Sequence, residues 1–345
     1  MDDKALKILF TSHRFSPDIG GIESISALLA INFVAAGHTV KLVTMTLDNS
    51  PHDSHKFPFL IYRKPDLSTL ISCYRWADVV FQNNIEIRQL WPLLLFRKPL
   101  VIGLQTWIRR VDGKRDLVAQ LKLAVLRIAD RVIACSEAIR LDSIPSAIVI
   151  GNPYRSSLFV GYPDLTRRKS IVFLGRLVSD KGLDLLIKAF AKLRPPQWRL
   201  MIIGSGPELA SSAMLAKRLG IANSVDFVGP LQGSELVREL NQQEIIVVPS
   251  RWEEPFGVVV LEGLACGCVV LASDGGGLPD AVGSAGLLFR RGDQSDLTNK
   301  LSQLIEMSQL REDLRRRARY HLSHFHEDIV AERYLDILKS ARRKT

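Results

Sequence analysis

Short β-branched runs alternate with longer amphipathic segments along this chain, in two successive series, and that rhythm constrains the fold more than any other feature. Leu6 to Ser12 reads as a strand, Ile22 to Ala36 as a helix stopped by Gly37, and Thr39 to Met45 as the next strand. Pro58 to Arg63, Ala77 to Gln82, Pro99 to Thr106, Arg131 to Ser136 and Ala147 to Ile150 continue the strand series. Between them, Lys114 to Ala129 carries apolar residues at 117, 118, 121, 124, 125 and 128, which predicts an amphipathic helix. The strands are apolar almost throughout, as expected of a parallel sheet covered on both faces.

A polar, proline-containing stretch, Asn152 to Ser170, precedes the second series. Strands are expected at Ser170–Gly175, Trp198–Gly204, Val225–Val228, Glu244–Pro249 and Cys268–Ser273. Helices are expected at Leu183–Leu193, Glu208–Leu219 and Gly257–Leu264. Three further helices, Leu297–Met307, Gln309–Leu322 and Asp328–Ala341, have no strands between them. A length of 345 residues suits two domains. The expected architecture is therefore α/β, with two doubly wound domains facing across a cleft and joined near residues 153–169.

Composition narrows the function classes. With 47% hydrophobic and 24% charged residues, the chain is neither disordered nor fibrous. Cysteines stand at 73, 135, 266 and 268, most beside apolar strand-like runs, which predicts reduced, buried thiols and a cytoplasmic setting. The Cys266-x-Cys268 spacing lacks a partner pair or histidine cluster, so no metal site is expected. Charges break up the N-terminus, and Glu262 interrupts the longest apolar region, Gly257 to Ala272, so neither a secretory nor a membrane-spanning segment is expected. The net charge is +10: residues 1–160 carry 20 basic against 14 acidic side chains, and the remainder 26 against 22. Such an excess suits phosphate-bearing substrates or anionic lipid as well as a merely solvated surface. No run of five like charges points to nucleic acid.

Open α/β sheets bind ligands at the carboxyl ends of their strands, so the loops there matter most. The first such loop, His13 to Glu23, places Gly20-Gly21 just before a helix. That is either a permissive turn or a cradle for an anion at the helix N-terminus. It is not G-x-G-x-x-G, which counts against a dinucleotide site. Arg176 and Lys181 follow a strand and suit a diphosphate, Arg as a fork and Lys as a point charge. Glu254 lies in a loop, and Glu262 lies eight residues on, inside an otherwise apolar helix. A carboxylate so placed needs hydrogen-bond donors, either protein groups or the hydroxyls of a sugar. Gly204 and the turn Asp274-Gly275-Gly276-Gly277-Leu-Pro-Asp280 add further glycine-rich strand ends.

These elements, in order, resemble the retaining glycosyltransferases of family 4, which have the GT-B fold of two Rossmann-like domains. The resemblance rests on Gly20-Gly21-Ile-Glu23, on Gly175-Arg176 through Lys181-Gly182, on Glu254-Pro-Phe-Gly through Glu262, and on Gly275-Gly276 with Asp280. It implies an acceptor-binding N-terminal domain, residues 1–155, with a C-terminal helix, 326–345, packing back onto it. Residues 165–325 would bind the nucleotide sugar, a nucleoside diphosphate sugar of UDP or GDP type, with no metal or other cofactor. By the same resemblance Arg176 and Lys181 hold the diphosphate, Glu262 the ribose and Glu254 a hydroxyl of the transferred sugar. Phe256, Gly257 and Val258 lie near the sugar and phosphates, Val228 near the base, and Gly20, Gly21 and Gly204 near the donor.

His13, Glu23 and Gln105 are the expected acceptor or cleft residues. Gln105 stands where the family commonly has a histidine, and it cannot relay a proton. Asp280 replaces the usual glutamate. The expected partners are the donor and a glycan or glycolipid acceptor, with no nucleic acid. A binding protein without transfer activity and a nucleotide-sugar epimerase are the alternatives. Lys114, Arg115, Lys122 and Arg127, read as one helix, with the neighbouring Trp91 to Phe96, allow two readings. One is a core-packed helix with a solvated basic face. The other is peripheral contact with an anionic membrane.

Overall fold

The computed structural model describes residues 5–18, 20–47, 56–110 and 113–342. It divides into two units, Met1–Pro153 with Glu327–Thr345, and Tyr154–His326.

In the first unit the elements run β1 Lys7–Ser12, α1 Gly21–Ala35, β2 Thr39–Thr44, β3 Leu60–Arg63, α2 Leu67–Trp76, β4 Val79–Asn83, β5 Leu100–Leu104, α3 Leu117–Ile128, β6 Arg131–Ala134, α4 Glu137–Asp142, β7 Ile148–Val149 and α12 Glu327–Arg342. The seven strands pair in parallel in the order β3-β2-β1-β4-β5-β6-β7. Strand order therefore reverses between β1 and β4, which opens a crevice at their carboxyl ends. Phe10, Phe81 and Tyr334 form the aromatic centre of this core, with Phe10 edge-on to Phe81 at 4.9 Å and Phe81 edge-on to Tyr334 at 5.7 Å. Helix α12 thus packs its Tyr334 onto the sheet of this unit.

The second unit runs β8 Ser170–Leu174, α5 Leu183–Leu193, β9 Arg199–Ile203, α6 Leu209–Arg218, β10 Val225–Gly229, α7 Gly233–Asn241, β11 Ile245–Val248, α8 Val258–Ala265, β12 Val269–Ser273, α9 Leu278–Val282, β13 Gly286–Phe289, α10 Gln294–Glu306 and α11 Ser308–Ser323. Its six parallel strands stand in the order β10-β9-β8-β11-β12-β13, so this sheet reverses between β8 and β11. Leu183, Leu186, Ile187 and Phe190 of α5 join Ile171, Phe173, Leu200, Leu297 and Leu301 in one buried core. Each such side chain contributes roughly 1.5–3 kcal/mol by leaving water.

Three corrections concern the elements. Lys114 and Arg115 precede α3 rather than lying on it. The Asp116 carboxylate caps the helix by accepting from Ala119 N at 2.8 Å, so the first turn starts at Leu117. The apolar positions 117, 118, 121 and 128 do not face the core: all four side chains are exposed, while Ala119 and Leu126 are buried. The third is β13, which the sequence pattern did not suggest. It forms by pairing Gly286–Phe289 with Val270–Ser273. All four cysteines are buried, and none forms a disulfide. Among the described residues no helix is long and apolar enough to cross a membrane.

Candidate active site

The switch point of the second sheet brings several ionisable side chains together. The loop after β8 carries Arg176 and Lys181, and the loop after β11 carries Ser250, Glu254 and Gly257. Because β8 and β11 are neighbours, these loops meet. Lys181 Nζ donates to Glu254 Oε1 at 2.5 Å, and Ser250 Oγ donates to the same oxygen at 2.7 Å. Both partners of the ion pair are mostly buried, with 22% and 14% of their side chains exposed. Lys181 has three N–H donors and spends one here, which leaves an oriented cation for a ligand. Arg176, by contrast, is exposed at the strand end.

A brace fixes these loops. Arg251 forks onto Asp184 in the first turn of α5, at 2.6 and 2.8 Å, and Lys188 adds a third contact at 2.9 Å. Burial alone would raise the Asp184 carboxyl, but the donors from Arg251 and Lys188 outweigh it and lower it to about 2. The Asp180 carbonyl accepts from Arg251 N at 2.8 Å and Trp252 N at 3.0 Å, and Ser273 Oγ donates to Ser250 O at 2.8 Å. Sequence reasoning missed Ser250, Arg251 and Asp184. Asp184 in a helix's first turn is an ordinary dipole partner, and nothing local signals that its arginine lies 67 residues away.

Glu262 is different. It lies on α8 with its surface partly open, yet protein surrounds it closely enough that desolvation lifts its carboxyl to about 7, against a weaker opposing pull from Arg155. No protein hydrogen bond to this carboxyl is found among the described residues. A carboxylate held this way gains most from hydroxyl donors arriving with a ligand. Helix α8 starts at Val258 after Gly257 in the left-handed region. Its N-terminus adds a partial positive charge to the crevice. Phe256 is buried and packs on Phe325 at 5.7 Å, so it anchors this loop.

Two glycines have packing duties. Gly204 sits at φ +142°, and a side chain there would collide with the Gly175 carbonyl. Gly276 sits at φ +63°, where a side chain would collide with the Glu254 carbonyl. Gly277 N also donates to that carbonyl, at 2.7 Å. Gly204 and Gly276 therefore let neighbouring loops close on each other. Val228 lies on β10 beside a register shift between Phe227 and Gly229, with 41% of it exposed.

The remaining expected residues lie in the first unit. The loops after β1 and β4 meet there, with His13 Nδ1 3.6 Å from a Glu86 carboxylate oxygen. Gly20 is extended at φ −176° and packs against the Glu23 carboxylate, so a Cβ would displace it. Nothing lies within 4 Å of where a Cβ on Gly21 would stand, so this helix start is open to close approach. Gln105 is buried and donates to Asn83 Oδ1 at 3.2 Å. Asn83 in turn donates to Ser26 Oγ at 2.8 Å. Its amide thus belongs to an internal network rather than standing free at the surface.

A family model described as "Glycosyl transferases group 1" matches residues 162–321, which spans every element of the second unit's crevice. Residues 162–321 are thus similar to group 1 glycosyl transferases. Among curated proteins, the D-inositol 3-phosphate glycosyltransferase of Corynebacterium jeikeium is 38% identical over 52% of this chain and 44% of its own length. The phosphatidylinositol N-acetylglucosaminyltransferase gpi3 subunit of Schizosaccharomyces pombe is 26% identical over 85% of this chain and 72% of its own. The chain thus spans less than half of the Corynebacterium relative. Of solved structures, Anabaena HepE in complex with UDP superposes with a TM-score of 0.83 at 21% identity, covering 97% of this chain and 100% of that one. This likeness gives the fold: two parallel sheets of seven and six strands with surrounding helices, as in GT-B proteins. The matched residues lie within the unit that holds Arg176, Lys181, Glu254 and Glu262.

Proposed function

We propose that this chain is a retaining glycosyltransferase that moves a sugar from a nucleoside diphosphate sugar to a hydroxyl of a glycan or lipid-linked acceptor. One observation carries the reading. At the switch point of the unit similar to group 1 glycosyl transferases, a Lys181–Glu254 pair stands near an exposed Arg176, with a desolvated Glu262 on the adjoining helix. Two cations suit a diphosphate, and carboxylates suit hydroxyls. The UDP in the HepE complex and the acceptors named for the two curated relatives support the same class of donor and acceptor.

In this reading the bond from the anomeric carbon to the diphosphate oxygen breaks, and negative charge grows on that oxygen. Arg176, Lys181 and the N-terminus of α8 stabilise it, so no metal is required. The acceptor hydroxyl attacks the face from which the diphosphate leaves, and its proton passes to the departing phosphate oxygen. Glu262 holds the ribose and Glu254 a sugar hydroxyl. The first unit binds the acceptor, with His13 and Glu23 near its β1–β4 crevice. Buried as it is, Gln105 supports that crevice through Asn83.

Nucleotide release, measured with and without acceptor, tests this. Acceptor-dependent release with a product of retained anomeric configuration is expected. Binding without release would mean a binding protein, and a rearranged donor without acceptor would mean an epimerase.

A further inference from the structure

We infer that a cavity at the amino edge of the second sheet binds a phosphomonoester with a compact apolar body. The cavity has a volume of about 400 Å³ and is lined by the end of α8, by Gly267 and Cys268 before β12, and by α11. That volume is within the usual range of small-molecule sites. Cys268 leads into β12, whereas the loops carrying Lys181 and Glu254 follow β8 and β11, so in this parallel sheet the cavity and the donor crevice stand at opposite ends. Leu264, Cys268, Ala318 and Leu322 are buried and form its apolar wall. Arg167, Arg315 and Arg319 supply its charge, and no residue lining it carries a carboxyl group.

The three arginines are engaged to different degrees. Arg315 donates from Nε to Gly267 O at 3.0 Å, and Glu244 at 2.8 Å and Glu312 at 3.0 Å answer its charge. Arg167 donates from Nη1 to Gln243 O at 2.6 Å and from Nη2 to Cys266 O at 2.7 Å. Both acceptors are neutral carbonyls, so its charge stays uncompensated, and three of its five N–H donors remain. Gly267, at φ +77°, makes room for this guanidinium, since a Cβ there would stand 2.2 Å from Nη2. Arg319 lies one turn beyond Arg315 on the same face of α11, is exposed, and has no hydrogen bond or ion pair among the described residues. Arg167 and Arg315 thus tie down the carbonyls after α8, but that duty leaves Arg319 unexplained. Like charges at i and i+4 repel, and an anion between them removes the repulsion. Two uncompensated guanidinium groups suit the oxygens of a phosphate dianion, and the apolar wall suits the body of its ester. The site is independent of the proposed reaction, because its residues are not those of the donor crevice.

Calorimetric titration of the full chain with 1-naphthyl phosphate, inorganic phosphate and 1-naphthol tests it. Naphthyl phosphate is expected to bind roughly tenfold or more tightly than either inorganic phosphate or naphthol, since each of those lacks one half of the recognition. Arg319→Glu should weaken naphthyl phosphate by roughly tenfold or more. Ala318→Leu, which fills the apolar wall, should weaken it similarly while leaving inorganic phosphate unchanged. Thermal unfolding of both variants should match the parent, and if Ala318→Leu does not fold, Arg319→Glu decides alone. Arg176→Ala with Lys181→Ala should bind naphthyl phosphate like the parent. The proposal is overturned if naphthyl phosphate does not bind, if inorganic phosphate binds as tightly, or if either folded cavity variant binds it like the parent. It is also overturned if Arg176→Ala with Lys181→Ala abolishes binding, since the probe would then sit in the donor crevice, a result that leaves the proposed function standing.

Discussion

Replacing Glu262 by Gln separates what the folded chain tolerates from what a ligand needs. The carboxyl is held up from its ordinary 4.5 to about 7 because protein, rather than water, surrounds it. The unfolded chain loses this proton near 4.5, whereas the folded chain keeps it to about 7. Across that window the native state binds the extra proton, so stability falls as pH rises and stays lower above it. At ~1.4 kcal/mol per pH unit, ionised Glu262 costs the fold roughly 3 kcal/mol at pH 8. Glu262→Gln removes that cost. Urea unfolding at pH 5, 7 and 8 should show the variant matching the parent at pH 5. At pH 8 it should exceed the parent by about 2–3 kcal/mol. The same variant should bind nucleoside diphosphate roughly tenfold more weakly at pH 8, since a neutral amide replaces a charge-assisted acceptor. A variant as pH-sensitive as the parent, or less stable at pH 8, would refute the reasoning.

Arg176→Ala and Lys181→Ala should each slow transfer by roughly 2–4 kcal/mol of barrier in steady-state assays, with far-ultraviolet circular dichroism unchanged. Glu244 accepts from Arg311 at 2.7 Å and pairs with Arg315 at 2.8 Å, and these contacts outweigh its desolvation and lower its carboxyl. Its contribution to stability is therefore present above 4.5 and lost as pH falls below it. Glu244→Ala should cost about 3 kcal/mol in urea unfolding at pH 7, because two mostly buried guanidinium groups lose the carboxylate they share and keep only their other contacts. Desolvation holds the Cys268 thiol at about 11 and raises Cys266 as well, so both should resist alkylation at pH 8 until the chain is unfolded.

The fold was legible wherever a run of apolar residues had the length and period of one element. Leu183–Leu193 matches α5 residue for residue, and β1, β2, β9 and β11 differ from the expected spans only at their ends. Strand β13 was not legible, since four residues starting with glycine carry too little pattern; its pairing with β12 decides it. The α3 stripe had the correct period, but periodicity cannot say which face of a helix meets the core. In the site, Arg176 and Lys181 stood out because such a pair at a sheet's carboxyl edge suits a diphosphate, and Glu262 because a carboxylate inside an apolar helix needs hydrogen-bond donors; Glu254 lies eight residues before it. Arg251 and Asp184 did not, because their meaning exists only as a pair across the folded unit. Gln105 was expected in the acceptor cleft, and only the fold reveals the hydrogen bond that ties its amide to Asn83.

Where a sugar nucleotide sits decides the proposed function, and a crystal structure with a nucleoside diphosphate bound measures that directly. The diphosphate is predicted at the carboxyl ends of β8 and β11, within hydrogen-bond reach of Arg176 and Lys181, with ribose hydroxyls on the Glu262 carboxylate. A nucleotide bound in the first unit, or one in the second unit whose hydroxyls never meet Glu262, would contradict it.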